Sequence, residues 1–127
     1  MILDEIIANK RREVAAARKR LPVSELRAAT ADMALPRDFI AAFSGGERPY
    51  LLAEIKAASP SAGAIRSGFD PAAIARQYEQ AGSAALSVLT DEKYFKGSLD
   101  HMRQARGAVE LPTLRKDFIV DPYQIYE

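Results

Sequence analysis

Two charged residues interrupt an otherwise apolar run at Tyr50–Ser61, YLLAEIKAASPS. Glu54 and Lys56 lie within Leu51–Ala57, which Pro49 precedes and Ser59-Pro60 ends, and this is the length and bounding of a buried strand. Side chains alternate along a strand, so Leu52, Glu54 and Lys56 share one face while Ala53, Ile55 and Ala57 share the other. An acid and a base on such a strand are costly to bury unless they are paired or used. The couple therefore reads in two ways, as a structural ion pair without chemistry or as part of a site.

A second group with chemical potential is Arg115-Lys116-Asp117-Phe118, where Leu114, Lys116 and Phe118 share a face. Two inward lysines on neighbouring strands suit an anionic ligand, and Phe95 with Phe118 offer flat faces for a ring. A lysine beside a carboxylate feels opposed influences, since desolvation lowers its pKa and the anion raises it. Such a group can serve as a general acid near neutral pH.

Positioning these residues requires alternating strands and helices. Asp70-Pro71 caps and opens a helix over Pro71–Ala81, closed by Gly82. Ala84–Leu89 is a second short strand, Thr90–Gly97 a polar loop, Ser98–Ala108 a helix and Leu111–Lys116 a third strand. Asp121-Pro122 repeats the helix-start signal. The strands begin about 30 residues apart, the size of a right-handed βαβ unit. Runs of such units make a parallel sheet with helices outside it, and they place chemistry at the carboxyl ends of the strands. The fold class expected is therefore α/β.

The opening third is helical. Ile2–Arg20 carries an apolar stripe of Leu3, Ile6, Ile7, Val14 and Ala17, and its many basic residues read as a solvated face. Leu21-Pro22 ends it, and Ser24–Ala29 reads as a short helix capped by Ser24. Met33–Phe43 offers a short apolar-faced helical turn before Ser44-Gly45-Gly46. The expected division is a helical N-terminal extension over 1–48 and three βα units over 49–127.

Composition bounds the remaining options. With 127 residues and 48% hydrophobic content the chain can build one ordinary core. Eighteen basic residues against 17 acids, a net charge of +1, give no electrostatic footprint for nucleic acid or an anionic membrane. Cysteine is absent and His101 is the only histidine, which excludes thiolate sites and histidine clusters and disfavours a serine–histidine triad. No apolar run approaches the roughly 20 residues of a membrane span, and Asp4 and Glu5 are unlike a signal peptide. A soluble, cytoplasmic chain is expected. His101, Tyr78, Tyr123 and Tyr126 read as surface or packing residues, while Asp91, Glu92 and Asp117 either orient Lys116 or solvate loops.

Three stretches, AEIKAASPSAG, LSVLTDEKYFKGS and LPTLRKDFIVDPYQIYE, occur in an order that resembles the indole-3-glycerol phosphate synthase family of tryptophan biosynthesis. The resemblance implies a TIM (βα)8 barrel with a helical segment over its active-site end. It implies a carbon–carbon lyase that closes carboxyphenylamino-deoxyribulose phosphate to indole-3-glycerol phosphate, losing carbon dioxide and water without cofactor or metal. On this resemblance Lys116 corresponds to the general acid that protonates the substrate carbonyl oxygen, Lys56 to the lysine holding substrate anions, and Glu54 to the glutamate positioning both. Ser59 and Pro60 match the first loop of the substrate site, and Phe95 and Phe118 match contacts to the anthranilate ring.

A barrel of this kind needs eight strands and about 250 residues. The chain is accordingly expected to be the N-terminal part of a longer barrel, whose later strands supply a second glutamate as general base, an asparagine and the phosphate site. Alone it is expected to be inactive, because acid, base and phosphate clamp act as a unit. Two alternatives stay open. One is another phosphosugar barrel enzyme such as phosphoribosylanthranilate isomerase, expected to use different acid–base groups. The other is a non-catalytic half-barrel that pairs with a second chain through its unpaired sheet edges.

Overall fold

The protein is described by a computed structural model covering Met1–Glu127. Its residues form two compact units, Met1–Leu35 with Phe118–Glu127, and Pro36–Asp117. This division by compactness falls elsewhere than the sequence-based boundary after residue 48.

In the first unit, helix α1 spans Ile2–Arg20 and buries Ile6, Lys10, Val14 and Ala17 along one face. Asp4 and Glu5 lie in its first turn and Arg18, Lys19 and Arg20 in its last, each opposing the helix dipole. Lys10 is buried and meets Glu13 at 2.6 Å, one turn along the helix. Helix α2 spans Val23–Thr30 and starts one residue before the predicted one. Pro22, and not Ser24, is the N-cap, because Ser24 already has helical backbone inside the first turn. A helical turn at Tyr123–Tyr126 packs Tyr123 against Val14, Ala17 and Leu26. The Tyr123 hydroxyl donates to the Leu21 carbonyl at 2.9 Å.

In the second unit the predicted helical turn over Met33–Phe43 contracts to a 3₁₀ turn at Ala41–Phe43. Pro36 keeps Leu35 out of helical backbone, and the Asp38 carboxylate accepts from Ala41 N–H at 2.8 Å where the short turn begins. The Arg37 guanidinium is drawn to the carbonyls of Arg106, Val109 and Leu111 at 3.1, 2.9 and 3.0 Å.

Strand β1 is Leu52–Ile55. A small antiparallel hairpin follows, β2 (Ala58–Ser59) with β3 (Gly63–Ala64), which the loop-like composition of Ser59-Pro60-Ser61 conceals. Helix α3 is Pro71–Gln80, capped by the Asp70 carboxylate accepting from Ala73 N–H at 3.0 Å. Strand β4 is Ala85–Leu89. The predicted polar loop after it contains a helical turn, α4 (Glu92–Phe95), capped by Asp91. Helix α5 is Leu99–Ala108, capped by Ser98, and strand β5 is Thr113–Lys116.

The main sheet is parallel, in the order β1-β4-β5, so α3 and α5 are crossover helices. Ala53, Ile55, Leu86 and Val88 face those helices and pack with Ile74, Ala75, Ala105 and Val109. All five side chains of β4 are buried. His101 belongs to this packing, its ring 5.1 Å from that of Phe69 at their centroids, and Tyr78 donates to the Glu54 carbonyl at 3.0 Å.

Gly97 sits where a side chain cannot. A Cβ there would lie 2.3 Å from the Leu89 carbonyl oxygen at the end of β4. Gly97→Ala is therefore expected to destabilise the chain by about 1–3 kcal/mol in urea denaturation. Gly107→Ala, with nothing within 4 Å of the added methyl, is expected to stabilise it by roughly 0.5 kcal/mol. Equal effects of the two substitutions would refute the close approach at Gly97.

Candidate active site

The register of the sheet decides which side chains can meet. Glu54 on β1 aligns with Ser87 on β4, and Ser87 with Leu114 on β5. Leu89 aligns with Lys116, one step nearer the carboxyl end. Paired residues of a sheet share a face, so Glu54, Ser87 and Lys116 all point away from the crossover helices. Lys56 follows the last residue of β1 on that same face.

The expectation that the lysines stand on neighbouring strands is corrected here, because β4 lies between β1 and β5. Two strand spacings separate their backbones by about 10 Å. Long side chains close that gap over the small Ser87. Lys116 Nζ donates to Glu54 Oε2 at 2.8 Å, and Lys56 Nζ lies 3.4 Å from Glu54 Oε1. One carboxylate thus draws two ammonium groups, one to each oxygen, from the carboxyl ends of β1 and β5.

These side chains are neither sealed nor free. Glu54, Lys56 and Lys116 keep 32%, 35% and 54% of their side-chain surface exposed, which leaves the cluster open to water and to an incoming ligand. Burial pulls the Glu54 carboxyl upward in pKa. Hydrogen bonding and charge from Lys116, then from Lys56, outweigh that pull and hold it below the ordinary value. The lysines are thereby arranged as paired cations beside a group that stays ionised.

The other predicted residues divide. Ser59 sits half-buried in the hairpin, its Oγ accepting from Ala62 N–H at 3.1 Å and lying 3.4 Å from Ser61 Oγ. Pro60 is exposed at the hairpin turn. Phe95 is half-buried at the end of α4, which lies against β2. Phe118 falls in the other compact unit, where its carbonyl accepts from Gln124 Nε2 at 3.0 Å. Asp117 does not solvate a loop. Its carboxylate lies behind the sheet with Arg115 and Thr90, an arrangement that motif reading missed because it joins residues 27 positions apart. A cleft lined by Arg11, Val14, Arg18 and Val120 lies in the first unit, where Arg18 is already paired with Asp121 at 2.6 Å.

A parallel β/α sheet with charged groups at the strands' carboxyl ends is the arrangement in which α/β folds, barrels and open sheets alike, carry their sites. Residues 3–127 match the indole-3-glycerol phosphate synthase family. The chain belongs to that family, whose fold is the TIM barrel. It is 52% identical over 126 residues to the indole-3-glycerol phosphate synthase of Rhodopirellula baltica, covering 99% of this chain and 49% of that protein. The enzyme of the same name from Neisseria gonorrhoeae is 54% identical over 129 residues, with 99% and 50% covered. That of Dechloromonas aromatica is 53% identical over 129 residues, with 99% and 49% covered. The chain spans about half the length of the curated relatives it matches.

The depressed Glu54 pKa carries a pH signature. Stability from the ionised carboxylate is fully present above the ordinary glutamate pKa, about 4.3, and is lost as pH falls through the lower folded value. The stability difference between wild type and Glu54→Gln, from urea titrations across acidic pH, is expected to shrink as pH falls through that window. A difference independent of pH would contradict the two-lysine pairing.

Proposed function

We propose that the protein of which this chain forms part is an indole-3-glycerol phosphate synthase, a carboxy-lyase acting on carboxyphenylamino-deoxyribulose phosphate. Family membership supports this reading, and the observation that carries it is the convergence of Lys116 and Lys56 on the two oxygens of Glu54.

The chemistry needs such a group. Joining the aromatic ring carbon to the sugar carbonyl and then expelling carbon dioxide interrupts aromaticity, so the carbonyl must be polarised. In this reading Lys116 is the general acid that donates a proton to the carbonyl oxygen. Glu54 holds its ammonium over the substrate position until the ligand arrives. Lys56 binds the substrate's anionic groups, releasing Glu54 to a single partner. Ser59 and Pro60 border the first loop of the substrate site, Phe95 contacts the anthranilate ring, and Phe118 is included on its motif alone. Residues 1–48 act as the helical extension and 49–127 as the first βα units. No cofactor or metal takes part.

The partner is accordingly a small anionic phosphosugar, and neither nucleic acid nor membrane is expected to bind. No helix is long and apolar enough to cross a membrane, and a cytoplasmic enzyme is proposed. β1 and β5 each pair on one side only, so their outer edges are where this chain would associate with further strands.

Lys116→Ala in the complete enzyme is expected to lower kcat by about 10²–10⁴ with little change in KM, measured by fluorescence of the indole product. Lys56→Ala is expected to raise KM chiefly. The 127-residue chain assayed alone should show no turnover above background. Near-normal kcat for Lys116→Ala would remove the acid from this assignment.

A further inference from the structure

Behind the sheet, Thr90, Arg115 and Asp117 close a ring of hydrogen bonds. The Thr90 hydroxyl donates to Asp117 Oδ2 at 2.7 Å and accepts from Arg115 Nε at 3.1 Å. Arg115 Nη2 completes the ring at 3.2 Å from Asp117 Oδ2. The Thr90 backbone N–H also donates to the Lys116 carbonyl at 3.0 Å. Thr90 is 4% exposed, and the Asp117 side chain is 1% exposed.

We infer that Thr90, Arg115 and Asp117 are positioning residues that aim Lys116 at Glu54. Strand alternation puts residues 115 and 117 on the helix side and 116 on the open side. The ring therefore grips β5 on both sides of Lys116 without touching its side chain. Lys116 itself is more than half exposed and rich in rotamers, and the Glu54 carboxylate is the partner that meets its tip. Locking the backbone there sets the direction of the Lys116 Cα–Cβ bond, and hence whether its tip arrives across Ser87.

Energetics agree with a role in geometry. Backbone bonds alone would join β4 to β5. A buried aspartate–arginine pair is a weak source of stability, because desolvation offsets the attraction, whereas losing one partner is severe. A buried ionic ring in contact with both neighbours of one exposed lysine specifies conformation more than it adds stability.

The inference rests on Lys116 being the functional ammonium, so its test separates the two claims. The Glu54 carboxyl can be titrated by carbon NMR in the complete protein, assigned with Glu54→Gln, with Lys116→Ala as the reference for a lost partner. Lys56 and Lys116 are the cations that face Glu54. Thr90→Val keeps shape and charge but removes the hydroxyl. It is expected to move the Glu54 midpoint upward by most of the shift that Lys116→Ala produces, while Thr90→Ser keeps the wild-type midpoint. Asp117→Asn provides a second variant should Thr90→Val not fold. Removing a negative charge alone would lower the Glu54 midpoint, so a rise there isolates the release of Lys116. A folded Thr90→Val or Asp117→Asn chain with a wild-type midpoint would overturn the positioning role alone. Failure of both variants to fold would assign the ring to stability and overturn it also. An unmoved midpoint in Lys116→Ala would overturn the ion pair itself, and the inference with it.

Discussion

The Glu54 carboxylate reaches Lys116 over an intervening strand, and that reach depends on the parallel register of β1, β4 and β5. A one-residue slip of β5 would turn Lys116 toward the helices and bring Arg115 or Asp117 to the open face. A slip of the middle strand, β4, would also be costly. Leu86 and Val88 are fully buried against α3 and α5, so moving either would expose apolar surface worth about 1.5–3 kcal/mol per side chain. Ser87, on the opposite face, is small enough for the two long side chains to meet above it.

Charge is divided between the faces in a manner that follows solvent access. On the open face the Glu54 cluster is partly hydrated, so each contact is modest in strength, sensitive to salt and exchangeable for a ligand. On the helix face the Thr90–Arg115–Asp117 ring is shielded, and its bonds have no such competition. Under the proposed function, a group that releases its partner when substrate arrives suits the first environment. A group that must not move suits the second.

Local rules explain how the loops begin. Asp70, Asp91 and Ser98 each cap the helix that follows, accepting the N–H three residues on. The cap at Asp91 turns the chain immediately after β4, and Gly97 lets it pass against the Leu89 carbonyl. α4 is thereby set beside the hairpin that carries Ser59.

The order of strands and helices, the side of β1 that carries Glu54 and Lys56, and the family's motifs were legible because they are local. Period-two alternation, Asp-Pro starts and glycine stops act between residues close in the chain. Element ends were less legible. Ser24 resembles a cap but sits inside its helix, and the helical turn that composition favoured over Met33–Phe43 begins only after Pro36 and Asp38. The hairpin after β1 stayed hidden for a similar reason, since a two-residue pair is decided by backbone partners and leaves no periodicity. Strand order was beyond local reading altogether. That β4 separates the two lysines, that one carboxylate serves both, and that Asp117 lies buried behind Lys116 all depend on pairing between segments 27 to 62 residues apart. Sequence by itself determined which groups could do chemistry and on which face; only the folded sheet decided which of them meet, because register and burial are properties of strands together.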